Sequence, residues 1–188
     1  MSTGRRADAV RNRGLALEAT KALLARPGVT LTVESIAKEA GVGTATVVRS
    51  FGGKEALIDA AVSALLGPVV RRARDLLEQN GPEQALRTFL AELIAFQSAH
   101  HAINDQLTGM DLPATTARRA ELVRVMEEMI AGVRANGGIR TDIDPAVTMV
   151  MLGEVVYAFA RSQPASPELV DGFITVVMDG LRPQPPAR

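Results

Sequence analysis

The sequence predicts an all-α chain of about nine helices, three of them forming an N-terminal head and the others a larger body. Three observations predict it. Apolar residues recur at helical spacing along most of the chain. Glycine and proline fall between the periodic stretches, at Pro27-Gly28, Gly52-Gly53, Gly81-Pro82 and Asn136-Gly137-Gly138. Asp144-Pro145 and Ser166-Pro167 each put a capping side chain before a proline suited to the first helical position.

The first helix runs from about Ala7 to Arg26, with Leu17, Thr20, Leu23 and Leu24 on one side. Thr32 is placed to cap the second, and Glu34 is favourable near its positive end, but Ser35 stands where a full capping box takes Glu or Gln. The third helix follows Gly43 and ends near Phe51. From Lys54 a long helix carries Leu57, Ile58, Ala61, Leu65, Val69, Ala73 and Leu76, and Gly67-Pro68 should kink or break it. The helix from Pro82 buries Leu86, Phe89, Leu90, Leu93, Phe96, Gln97 and His100. A looser region, Ala102 to Thr116, is expected to hold one short helix. The next helix, about Ala117 to Ala135, carries Leu122, Val125, Met126, Met129, Ile130 and Val133.

The helix after Asp144 is apolar nearly all round, so it must be covered on more than one side. Glu154 within it should be paired with an arginine or face a ligand. The last helix shows Leu169, Val170, Phe173, Ile174, Val177 and Leu181 as one stripe. The expected domains are 1–54 for the head and 55–182 for the body, with 183–188 a disordered tail.

Composition narrows the function. At 188 residues, 47% of them apolar, the chain can build a proper core, and it has no run long and pure enough to span a bilayer. It lacks an apolar signal region, so the expected location is cytoplasmic. Zero cysteines exclude a disulfide framework and a thiol nucleophile. The net charge of zero hides an asymmetry: residues 1–54 hold nine basic against four acidic side chains, a net of +5, and the remainder carries −5. A basic head suits phosphate neutralisation, while an acidic body stays off a polyanion.

Within that head, Ile36 and Ala37 mark the inner face of the second helix and Gly41 supplies the left-handed backbone of a tight turn. Val42 and Val47 plug the angle between the helices. The outer face of the third helix then carries Thr44, Ala45, Thr46, Arg49 and Ser50, short polar groups and one guanidinium suited to a major groove. Thr32, Gly43 and Lys54 complete the expected DNA-binding set, Lys54 as a phosphate contact.

The pattern Ile36-Ala37-x-x-Ala40-Gly41-Val42, Thr46-Val47-Val48 and Phe51-x-x-Lys54-x-x-Leu57 resembles the N-terminal domain of tetracycline-repressor (TetR) type regulators. The resemblance covers roughly the first third of the chain. It implies a transcriptional regulator, most often a repressor released by a small molecule, binding a palindromic double-stranded operator as a homodimer. Val48 departs from the family, which usually has a phosphate-bonding tyrosine there. Gly43 stands where a serine cap is frequent, and Ser50 where a larger side chain is common.

In the body, Phe89, Phe96, Gln97, His100, Met110, Met126, Met129 and Tyr157 are candidates to line a pocket for an apolar or amphipathic effector, with Asn104 a further polar member. Methionines at helical spacing are more often core filler, but the polar members of the set point to a pocket. Val150, Phe173, Val177 and Leu181 are expected at a dimer interface of four helices. Adjacent His100 and His101 point about 100° apart on a helix and cannot share one metal from the same face. With Asp105 they would be the residues of a metal-assisted hydrolase, but no catalytic, metal or cofactor site is expected. A helical scaffold with a degenerate DNA-binding motif is the alternative that Val48 suggests.

Overall fold

The structure is a computed structural model that describes residues 2–26, 28–107, 109–162 and 166–184. The side chains of His101, Asn104 and Asp105 and the tail residues 185–188 lie outside the described residues. Among the described residues the chain forms eight helices: α1 (Ser2–Leu24), α2 (Val33–Ala40), α3 (Thr44–Phe51), α4 (Lys54–Gln79), α5 (Pro82–Leu107), α6 (Pro113–Ala135), α7 (Pro145–Ser162) and α8 (Pro167–Gly180).

The expected ninth helix, a short one between Ala102 and Thr116, is not formed. That segment is divided between the end of α5 and the start of α6. Ile103, Leu107 and Leu112 are buried at 5%, 8% and 7% exposure, so burial carries α5 on to Leu107 despite the weak local periodicity. Nor does Gly67-Pro68 break α4, which continues from Lys54 to Gln79 with Pro68 inside. Proline removes one backbone donor, and burial of Leu66 and Val70 on either side offsets that loss.

The chain divides into two compact units, residues 1–67 with 102–119, and residues 68–101 with 120–188. In the first, α1, α2 and α3 pack on one another. Its buried residues include Leu23, Leu24, Leu31, Ile36, Val47, Leu57, Ile58 and Ala61. Asp59 is buried in this unit too. Its carboxylate accepts the N–H groups of Ala114 (2.9 Å) and Thr115 (2.7 Å), the first turn of α6. Burial pushes the Asp59 carboxyl up, but the hydrogen bonds from Ala114 and Thr115 together hold it below its ordinary value.

The second unit has one core, built from Ala73, Leu76, Leu86, Phe89, Leu90, Ile94, Met129, Leu152, Val156, Ile174, Met178 and their neighbours. Arg134 ties down the α6–α7 loop by donating to the carbonyls of Thr141 (2.7 Å) and Ile143 (2.9 Å). Arg140 holds Asp142 by two side-chain bonds, which bring the Asp142 pKa down to about 2. Glu154 is exposed on α7, so the reading of a carboxylate needing an arginine inside this chain is corrected. Its neighbours on that face, Val147, Val150 and Met151, are exposed as well.

Gly132 marks where α6 meets the start of α5. A Cβ there would lie 2.8 Å from Pro82 Cγ and 2.9 Å from its Cβ. Glycine to alanine inside a helix usually gains roughly 1 kcal/mol. Here the sign should reverse, with Gly132→Ala destabilising by about 1–3 kcal/mol through overpacking. The urea midpoint of the variant tests this, and an unchanged or raised midpoint would show that Pro82 gives way.

Candidate nucleic-acid interface

The head builds its candidate surface from local rules. Thr32 and Ser35 close a reciprocal capping box: the Thr32 hydroxyl accepts the Ser35 N–H (3.1 Å) and the Ser35 hydroxyl accepts the Thr32 N–H (3.0 Å). Serine therefore completes the box that the sequence reading left incomplete. The half-buried Thr32 hydroxyl is thereby engaged in capping. Gly41 turns the chain at φ 65°, and the Val42 N–H bonds back to the Ala37 carbonyl at 3.0 Å. Gly43 is the extended N-cap of α3 and offers no side-chain cap.

From there the faces of α3 follow. Val47 is 2% exposed and points into the head, whereas Thr44, Ala45, Val48 and Arg49 are exposed. Thr46 and Ser50 are half-buried at the edge of that face. The Ser50 hydroxyl donates to the Thr46 carbonyl (2.8 Å), and Arg49 Nη2 donates to Thr46 Oγ1 (3.4 Å). Gly52, at φ 84°, ends the helix, and its N–H bonds the Val48 carbonyl at 2.8 Å. Lys54 then begins α4, half-exposed.

One contributor was missed by sequence reasoning. Arg13 of α1 donates to the Ser50 carbonyl, and its guanidinium carbon lies 3.9 Å from the centroid of the Phe51 ring. A cation at this end of α3 meets both an orphan carbonyl and the negative end of the helix dipole. Arg6, Asn12 and Arg13 of α1 face Thr46, Arg49 and Ser50 of α3 across a groove of about 650 Å³. The sequence signal was the basic content of residues 1–54, of which Arg5 and Arg6 also read as a solvated tail.

The candidate effector residues fall in both units. Phe89, Met126 and Met129 are at most 4% exposed and belong to the second core. Phe96 and His100 stack with ring centroids 4.5 Å apart, and the His100 Nδ1–H donates to the Phe96 carbonyl at 2.8 Å. Gln97 Oε1 is buried with no hydrogen-bond partner among the described residues. Tyr157 is half-exposed and its hydroxyl accepts from Arg161 (2.8 Å). Met110 lies in the first unit, whereas the residues just described lie in the second.

Of the expected interface residues, Val150 is 65% exposed, while Phe173 and Val177 are partly buried against the second core. Phe173 stacks on Phe159 at 4.2 Å between ring centroids. Leu181 is 2% exposed inside its own chain, so its assignment to an interface is corrected. The exposed apolar residues of α8 are Leu169 and Val176 instead.

A glycine-turned pair of short helices on a basic, three-helix head defines a helix-turn-helix DNA-binding protein of the all-α class. Residues 16–61 match the profile of "Bacterial regulatory proteins, tetR family", and residues 81–183 match "Transcriptional regulator SbtR-like, C-terminal domain". A TetR transcription regulatory protein from Mycobacterium vanbaalenii is 32% identical over 94% of this chain and 98% of that one, with a TM-score of 0.64. The TetR transcriptional regulator SCO0520 from Streptomyces coelicolor is 28% identical over 92% of this chain and 99% of its own, with a TM-score of 0.65. The ketosteroid transcriptional regulator KstR2 of Mycobacterium tuberculosis shares the fold at 19% identity, covering 92% of this chain and 95% of that one with a TM-score of 0.70. No curated protein matches the chain. The chain belongs to the TetR family and is a DNA-binding transcriptional regulator. Among the described residues no helix is long and apolar enough to cross a membrane.

Proposed function

We propose that the protein is a ligand-responsive repressor that binds a palindromic operator as a homodimer. Residues 1–54 serve as the DNA-binding domain and 55–182 as the sensing and dimerisation domain. The observation that carries the reading is the exposed face of α3, opposite buried Val47, within a head of net charge +5. Thr44, Ala45, Thr46, Arg49 and Ser50 meet the major groove, Gly43 lets the backbone approach, and Lys54 neutralises a phosphate.

The apolar stripes exposed on α7 and α8 support self-association, because a monomer would leave Val150 and Val176 in water. An apolar or amphipathic effector is supported by the stacked Phe96–His100 pair and by the unpartnered Gln97 oxygen beside it in sequence. For release, the effector must prefer the state that no longer matches the operator; a hundredfold bias reversed to its opposite needs about 5.5 kcal/mol of differential binding.

Duplex binding titrated against salt tests the DNA contacts. Arg49→Ala is expected to cost about 1–3 kcal/mol on the preferred operator and to relax sequence preference. Lys54→Ala should weaken all duplexes alike and flatten the salt slope by about one unit. Equal affinity of wild type and Arg49→Ala for the operator would remove Arg49 from the interface.

A further inference from the structure

We infer that Val48, with Ala45 beside it, reads the methyl group of a thymine in each operator half-site. The inference rests on the reading that α3 enters the major groove. At about 100° of rotation per residue, Thr44, Val48, Ala45 and Arg49 follow one another around a single arc of α3. All four are exposed, and Val47 lies opposite at 2% exposure. The middle of the arc is thus apolar. Val48 keeps 42% of its surface in contact with solvent, and polar Thr44 and Arg49 stand at the two edges.

A surface aimed at a polyanion gains nothing electrostatic from valine, which can neither donate to a phosphate nor pair with a base edge. It matches one feature of the groove, the C5 methyl of thymine, the apolar group a base pair presents there. Valine also suits the task mechanically. Its branched side chain keeps one strongly preferred rotamer in a helix, so ordering it against a methyl costs little entropy. Arg49, at the edge of the same arc, directs its guanidinium to the Thr46 hydroxyl (3.4 Å), on the side away from Val48, where it meets a guanine or a phosphate flanking that thymine.

The test uses the full chain. Preferred sites are selected from a random duplex pool, and each selected thymine is replaced in turn by deoxyuridine, which removes the methyl and leaves pairing and phosphates intact. Wild type is expected to lose about fourfold in affinity at one thymine of each half-site, the value of one buried methyl-sized group. Val48→Ala should lose that sensitivity while keeping its thermal midpoint and its salt slope, because the side chain is exposed and uncharged. Neutral substitution at every thymine, or an undiminished penalty in Val48→Ala, would overturn the assignment. If wild type shows no salt-dependent duplex binding at all, the groove-reading of α3 fails first and the Val48 assignment falls with it.

Discussion

Replacing Val150 or Val176 by aspartate should convert the protein to monomers and lower operator affinity by two orders of magnitude or more. Val150 is 65% exposed on α7 and Val176 74% exposed on α8, and Val147, Met151 and Leu169 lie exposed on the same two helices. In the proposed two-fold dimer the same patch of both copies is buried, so one substitution places two unpaired aspartates in the interface. Binding two half-sites through one dimer makes the second contact intramolecular, an advantage of about 10²–10⁴ that a monomer forfeits. Both side chains are exposed within their own chain, so the fold should survive, and circular dichroism checks that. Sedimentation at micromolar concentration and duplex binding give the readouts. A wild-type monomer, or charged variants that still sediment as dimers, would sink the interface.

Asp59→Ala is expected to destabilise the protein by about 2–3 kcal/mol. It removes a charged acceptor from two N–H groups at the start of α6 and leaves the one on buried Thr115 without that partner. The effect should depend on pH with a definite sign. The Asp59 pKa is lowered in the folded state, so the carboxylate contributes stability that is fully present above its unfolded value, about 3.9, and is lost as pH falls through the folded one. Urea unfolding of wild type and Asp59→Asn at a series of pH values tests this. Their difference should stay constant above about pH 5 and shrink below about pH 4. A difference that stays the same down to pH 3 would show that Asp59 acts through packing alone.

Much of the DNA-binding head was legible because its determinants lie within a few residues of one another. The Thr32 cap, the Gly41 turn, buried Val47 and the outward arc of α3 follow from periodicity and φ preference, and each is seen in the structure. The starts of α7 and α8 were legible for the same reason, since Asp144 and Ser166 carry their own capping oxygens into the helices that follow.

The start of α6 shows the opposite case. Leu112 precedes Pro113 and has no side-chain oxygen to offer the free N–H groups; the cap comes from Asp59, 55 and 56 residues before the two N–H groups it accepts. Likewise Arg13 reaches the end of α3 from 37 residues away. Burial carried α5 through a weakly periodic stretch to Leu107 and sank Leu181 in the core while leaving Val176 and Glu154 outside. The sequence alone therefore determined the helical class, the turn and the exposed face of α3, which depend on steric and hydrogen-bonding rules acting within one or two helical turns. Only the tertiary structure decided which orphan groups are capped from a distance and which apolar stripes remain uncovered, because those depend on which distant segments are brought together.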